Sequence, residues 1–175
     1  MVGFMRISTR LATATIIALL AGSIVTAQSG IRGVSAQAGA TVVGTLRVDN
    51  VTESPTPIFG LGFSIVNSSD TTGGGGGGAG KATFSEFAVT RLPDSASPVL
   101  FKYAATGQHI TKVQIDVFRP NTSTVDATYI LTDVLVSSFS TDASFEKISF
   151  TFQKIEFLSG GARTCYDRST GSPGC

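Results

Sequence analysis

Hydrophobic and polar residues alternate along most of the chain after residue 40. In residues 109–119, Val113, Ile115 and Val117 share one parity, and Gln114 and Asp116 lie between them. An alternation with period two is typical of β-strands that bury one face. The pattern predicts strands over residues 41–49, 59–67, 81–91, 109–119 and 144–157. Residues 128–136 are apolar on both faces in places, which predicts a strand covered on both sides.

In two of these predicted strands the apolar residues switch from one parity to the other midway. In a regular strand the apolar residues after the switch would point outward. The apolar positions switch near residues 153–154 in the last strand and near residues 85–86 in the third. One extra residue in a strand restores the inward direction, and we therefore predict a β-bulge at each of these two places. Bulges increase the twist of a sheet and suit the bends of a barrel.

Residues 94–107 break the alternation and contain helix formers. Pro98 falls in the predicted first turn and Gly107 at the end, with a cap expected near Ser95 or Ser97. The predicted fold is therefore mainly β, a small bulged β-barrel with one short α-helix.

The first 27 residues predict an export signal. Arg6 and Arg10 precede an apolar stretch without acidic residues, and small residues put the cleavage site between Ala27 and Gln28. An uncleaved N-terminal anchor is the alternative. The predicted organisation is a signal peptide at 1–27, a linker at 28–40, the barrel at 41–160 and a C-terminal tail at 161–175.

Composition narrows the classes of function. The 175 residues are 42% hydrophobic and only 14% charged, with 13 basic and 12 acidic side chains. Removal of residues 1–27 leaves 11 basic against 12 acidic side chains, a net charge of −1. The chain is near neutrality and its sequence contains no block of basic residues that would neutralise phosphates, so we expect no nucleic-acid partner. Low net charge favours self-association.

The cysteine and histidine content leaves little material for a zinc site, which these residues cannot complete alone. His109, Cys165 and Cys175 are too few for the four ligands that a structural zinc requires, and we expect no metal and no cofactor. In an exported chain Cys165 and Cys175 can close a small loop as a disulfide. Two free or separately buried thiols are the alternative.

No catalytic signature is present, and we predict a protein that is not an enzyme. The glycine run at residues 73–78 leads to Lys81 with the spacing of a phosphate-binding loop, but Ala82 replaces the required Ser or Thr. A hydrolase would need an acid pair or a nucleophile in a pocket. The candidate side chains are Asp116, Asp126, Asp133 and His109, whose spacing supports no such pair.

Several segments, taken in order, carry a family resemblance. They are residues 46–54, 58–69, 73–81, ATFSEFAVTR at 82–91, residues 94–98 and 104–109, LTDVLVSSFS at 131–140 and ISFTFQKIEF at 148–157. Together they resemble the haemolysin-coregulated protein (Hcp) family of type VI secretion, over about residues 41–168.

The resemblance implies a non-enzymatic subunit that assembles into a six-membered ring. Such rings stack into a tube that can carry effector proteins in its lumen. The implied partners are copies of the chain, secreted effectors and other secretion-system components, with no membrane partner after signal cleavage. We expect the mature protein to be secreted or extracytoplasmic. The loop after residue 67 is the candidate subunit contact, with candidate residues Ser68, Ser69, Asp70, Gly73, Gly78, Gly80 and Lys81.

A monomeric carbohydrate- or surface-binding barrel is the alternative function. It would need an exposed aromatic patch, for which the tyrosine candidates are Tyr103, Tyr129 and Tyr166.

Overall fold

The computed structural model of the chain describes residues 40–67 and 82–174. Within these ranges the elements are β1 (Gly44–Val48), β2 (Thr56–Gly62), β3 (Ile65–Asn67), β4 (Ala82–Phe84), β5 (Phe87–Arg91), α1 (Ser97–Thr106), β6 (Ile110–Phe118), β7 (Val125–Thr141), β8 (Glu146–Ser159), β9 (Ala162–Asp167) and β10 (Ser172–Pro173).

Six antiparallel strands close into a barrel in the order β8-β5-β2-β1-β6-β7, and β7 pairs back onto β8. Strand β9 pairs with the C-terminal half of β8, residues 154–159, and β10 pairs with β9. Strands β3 and β4 form a separate two-stranded sheet, called the arm below. The prediction of a mainly-β barrel with one short helix is confirmed.

The barrel interior is filled by the inward residues of each strand. In β5, Phe87, Val89 and Arg91 are buried while Ala88 is exposed. A side chain at Gly44 would overlap the carbonyl oxygen of Asp116 on β6, so the close approach of β1 and β6 requires glycine. The buried apolar core consists of Leu46, Val48, Ile58, Phe87, Val89, Ala96, Leu100, Ile110, Val113, Ile115, Leu131, Val134, Val136, Ile148, Phe150, Phe152 and Ile155.

Two of the predicted strands are each divided into a barrel strand and an arm strand. The predicted strand 59–67 is β2 and β3, and 81–91 is β4 and β5. At the division Ser85 donates its N–H to the Ser64 carbonyl (2.9 Å), and Ser64 donates its N–H to the Ser85 hydroxyl oxygen (2.8 Å). The predicted bulge near residues 85–86 is therefore wrong, because the chain leaves the barrel there.

The parity switch near residues 153–154 is confirmed, but its predicted cause is wrong. Phe152 and Ile155 are both buried, yet the β7–β8 register is unchanged across residues 152–154. Asp133, which lies opposite Gln153, has a φ of 53°. Both strands thus turn together without an extra residue. Register shifts occur elsewhere, at 58/60, 117/118 and 136/138.

The helix is confirmed, and its ends are defined by hydrogen bonds. Gly107 has a φ of 65° and donates its N–H to the Tyr103 carbonyl (2.9 Å), a left-handed helix end that glycine favours. At the start, Ala96 occupies the cap position rather than Ser95 or Ser97, and its N–H donates to Asp94 Oδ1 (2.7 Å). The cap prediction is therefore wrong.

The C-terminal segment, interpreted from the sequence as a linker and tail, contains two strands. Residues 162–167 pair with residues 154–159 of β8, and 172–173 pair with 166–167. The predicted tail is thus a hairpin that lengthens the sheet beside the arm.

Candidate subunit-contact site

The arm exposes apolar side chains at one end of the barrel. Ile65 pairs with Phe84 and Val66 with Thr83. Ile65 is 54% exposed and Val66 60% exposed. Exposed aliphatic side chains on a short two-stranded sheet are suited to contact with another protein surface.

The connection between the two arm strands holds the contact residues predicted from sequence. Ser68, Ser69, Asp70, Gly73, Gly78, Gly80 and Lys81 all lie outside the described residues. Their role in a subunit contact stays a prediction.

The arm joins the barrel through a group of aromatic rings, called the aromatic cluster below. Phe63 at the start of the arm stacks on Phe87 with 4.0 Å between ring centroids, and Tyr129 stacks on Phe157 at 4.9 Å. Rings at these separations stabilise a contact beyond the area they bury. The cluster consists of Phe63, Phe84, Phe87, Tyr129, Phe152, Phe157 and Tyr166.

A mostly apolar pocket of about 420 Å³ is lined by the arm, the barrel mouth and the C-terminal hairpin. Burial in this region raises the pKa of Tyr129 above its ordinary value. The lining residues come from the arm, the barrel mouth and the hairpin, and are Phe63, Ile65, Ala82, Phe84, Tyr129, Ile155, Phe157, Thr164, Cys165, Tyr166 and Pro173.

The turn of the hairpin is held by polar contacts. Arg168 places its guanidinium 5.0 Å from the Phe152 ring centroid and donates from Nη1 to the Phe152 carbonyl (2.8 Å). Asp167 accepts from the Ser169 hydroxyl (2.5 Å) and pairs with Lys154 (3.2 Å). The Ser169 hydrogen bond, followed by the Ser169 N–H and Lys154, lowers the pKa of Asp167 to about 2.

The opposite end of the barrel contains a buried charge cluster. Arg91 is 0% exposed and Glu146 2% exposed, and Arg91 Nε lies 3.4 Å from Glu146 Oε2. Arg91 Nη2 also pairs with Asp94 Oδ1. Sequence reasoning missed this cluster, although Arg91 continues the inward parity of Phe87 and Val89.

The four residues considered for hydrolysis do not form one group but take part in three separate side-chain contacts. His109 Nδ1 lies 2.5 Å from Asp133 Oδ1 on the exposed surface. Asp116 accepts from Thr128 (2.7 Å), and Asp126 accepts from Arg119 (2.9 Å). Each carboxylate thus has its own partner. Within residues 40–67 and 82–174 no three His, Cys, Asp or Glu side chains group into a metal site.

Two further predictions depend on the chain ends. Ala27 and Gln28, the predicted cleavage site, lie outside the described residues, as does Cys175. Cys165 lies in β9 and is disulfide-bonded. The bond from Cys165 to Cys175 stays a prediction.

The tyrosines proposed for a sugar-binding patch do not form an exposed surface. Tyr103, Tyr129 and Tyr166 are all half-buried and pack against the core. This arrangement does not favour the carbohydrate-binding alternative. Among the described residues no helix combines the length and apolar character that crossing a membrane requires.

Solved structures share this fold over about three quarters of the chain, whereas no curated protein matches it. A structure titled as a type six secretion system protein is 20% identical, with a TM-score of 0.66, and the match covers 77% of this chain and 100% of that one. Hcp1 from Salmonella typhimurium is 21% identical with a TM-score of 0.61, covering 76% and 99%. A type VI secretion system effector from Yersinia pestis is 20% identical with a TM-score of 0.58, covering 71% and 98%.

The sequence itself also matches a family model, and the match spans most of the barrel. The model describes the type VI secretion system effector Hcp and matches residues 29–158. That range is well over half of the chain, and the protein therefore belongs to the Hcp family of type VI secretion proteins.

Proposed function

We propose that this protein is a structural subunit that assembles with copies of itself into six-membered rings, which stack into a tube. The exposed apolar arm carries the proposal, because Ile65 and Val66 are more than half exposed at the end of an otherwise closed barrel. The family match, which identifies a secretion-system component, supports the same role.

A head-to-tail contact fits this geometry. The arm of one copy presents apolar side chains and two short strands. In a closed ring every copy contacts one neighbour through its arm and receives the arm of the other neighbour, so that all the contacts are the same. Pairing would also cover the outer sides of strands β3 and β4, which pair with no further strand among the described residues. The ring lumen would carry effector proteins, so the role is structural rather than catalytic.

The location that we propose is extracytoplasmic. Residues 1–27 have the composition of an export signal, and cleavage after Ala27 would release a mature chain beginning at Gln28. N-terminal sequencing of the exported protein tests the cleavage directly, and a chain that still begins at residue 1 or 2 would contradict cleavage in favour of an uncleaved anchor.

The assembly is tested with two variants matched for exposure. Val66 on the arm and Phe101 on α1 are each 60% exposed. Phe101 also packs edge-on against the Phe139 ring, with 5.8 Å between ring centroids, so aspartate at Phe101 removes a ring contact within the monomer and makes this a demanding control. We expect the mature wild type to form rings in electron micrographs. Val66→Asp should weaken assembly at least about tenfold, since a charge would be buried in the contact. Phe101→Asp should assemble normally.

The outcomes of this experiment separate the alternatives. Normal rings from Val66→Asp together with monomers from Phe101→Asp would place the contact on the helix face instead. A wild type that stays monomeric at every concentration would reject the ring. Val66→Thr, which keeps the β-branched shape, serves as the conservative control. Deletion of Gly73–Gly78, followed by light scattering, tests the predicted contact loop separately.

A further inference from the structure

The C-terminal hairpin is closed by very few backbone contacts. Strand β10 contains two residues, and one of them, Pro173, has no N–H to donate. The last backbone hydrogen bond, from the Gly174 N–H to the Cys165 carbonyl, is long at 3.4 Å. A strand this short is not stable on its own pairing.

A covalent bond is present at this position. Cys165 is disulfide-bonded, and the chain has one other cysteine, Cys175. A bond between the two would enclose the whole turn and β10 in one loop. Closing such a loop stabilises the hairpin mainly by restricting the unfolded chain.

The hairpin contacts the arm directly. The Tyr166 ring centroid lies 5.0 Å from that of Phe84 on β4, and the Arg168 guanidinium lies 5.8 Å from the Phe84 ring centroid. Pro173 and Ile65 line the same pocket. An ordered hairpin therefore stabilises β4 through these aromatic and cation–π contacts.

We propose that the Cys165–Cys175 disulfide is a redox-sensitive clasp that holds the arm. In the oxidised protein β10 is fastened to β9, and Tyr166 and Arg168 rest against Phe84. A dithiol reductant gives two electrons and two protons to the disulfide and is itself oxidised to a cyclic disulfide. The two thiols that result no longer retain β10, and the arm becomes less ordered.

The clasp has a consequence for assembly, which rests on the proposed function. Disulfides persist in oxidising compartments outside the cytosol. The arm would reach its ordered form only after export, so ring formation would follow oxidation of Cys165. This order of events would keep the chain from assembling before it leaves the cytosol.

Hydrogen exchange of the arm tests the clasp without requiring assembly. The protein is kept dilute and compared with and without dithiothreitol, which has no other disulfide to act on because the chain has two cysteines. We expect amides of β4 to exchange roughly tenfold faster after reduction, because local opening becomes easier. Amides of β6, which does not pair with the hairpin and is separated from β8 by β7, should be unchanged.

Two variants control the experiment. The double variant Cys165→Ser with Cys175→Ser should behave like the reduced wild type whether or not reductant is added. Arg168→Gln, which keeps the disulfide but loses the contact with Phe84, should raise β4 exchange in the oxidised protein. If the double variant also raises exchange in β6, it has lost its fold, and the wild type and Arg168→Gln decide the result.

Reduction confirmed by a mass gain of two hydrogens, with unchanged exchange in β4, would overturn the clasp. Faster exchange in β4 with unchanged ring formation would support the clasp and remove its link to assembly. A protein that never forms rings would reject the proposed function but leave the exchange result intact.

Discussion

The two ends of the barrel are built from opposite kinds of side chain. At one end Arg91, Glu146 and Asp94 form a charge cluster around a guanidinium that is fully buried. At the other end Phe63 and Tyr129 belong to an aromatic cluster that continues into an exposed arm. The same strands connect both ends, since β5 begins at Phe87 and ends at Arg91.

The difference separates a closed end from an accessible one. Buried charges are costly to remove from water and are retained with partners, so the side chains of the charged end are fixed in one arrangement. Aromatic and aliphatic side chains tolerate new neighbours because they need no specific partner. The apolar end is therefore the one suited to join copies of the chain.

The largest expected effect comes from breaking the charged end. Glu146→Leu leaves the guanidinium of Arg91 buried with Asp94 as its one remaining carboxylate among the described residues. We expect a loss of about 3–5 kcal/mol in the free energy of unfolding, measured by urea denaturation. Ring formation by the fraction that stays folded should be normal.

The control for this variant removes both charges. Arg91→Met combined with Glu146→Leu should recover most of the lost stability, because no unpaired buried charge remains. A single variant as stable as the wild type would show that the pair is not desolvated in solution.

A smaller effect on stability is expected at the aromatic end. Phe63 is half-buried and stacks on Phe87, so Phe63→Ala should cost about 2 kcal/mol, less than the full cost of a core phenylalanine. The loss in free energy of assembly should exceed the loss in free energy of unfolding, because Phe63 fixes the start of the arm. Unfolding and sedimentation measured on one sample would separate the two effects. Equal losses in the free energies of unfolding and of assembly would contradict a special role of the aromatic end in assembly.

The smallest effect depends on pH and concerns Asp167 in the hairpin. Its pKa is lowered from 3.8 in the unfolded chain to about 2 in the fold. The carboxylate therefore stabilises the fold fully above pH 3.8, and this contribution is lost as the pH falls toward 2.

The difference in Tm between wild type and Asp167→Asn should consequently narrow between about pH 5 and about pH 2. Thermal melts at several pH values measure this difference. A constant gap across that range would mean that the Ser169 and Lys154 contacts do not favour the ionised form.

Local patterns predicted most of the barrel because a strand with one buried face repeats every two residues. Strands β1, β6 and β8 were found this way, β7 was found from its apolar residues on both faces, and Gly107 ended the helix as predicted. The parity switch near residue 153 was visible as well. Its explanation needed the partner strand, since Asp133 of β7 turns at the same level.

The hairpin was missed because residues 162–167 lack an apolar alternation. They form a strand because β5 pairs only with residues 146–150 of β8, so that the backbone groups of residues 154–159 on that side are left to pair with β9. Arg91 and Glu146 were missed for a related reason. Charged residues are almost never fully buried without partners, and the sequence does not show that β5 pairs with β8 to bring these two opposite each other.

The sequence by itself determined the strand periodicity, the helix and its glycine end, the family resemblance and the low charge, because these depend on residue type and near neighbours. The tertiary structure decided where the arm leaves the barrel, which charges are buried and what the last residues pair with. Those outcomes depend on contacts between residues far apart in the chain, such as Arg91 with Glu146 and Phe84 with Tyr166. Strand pairing creates these contacts, and no local pattern encodes them.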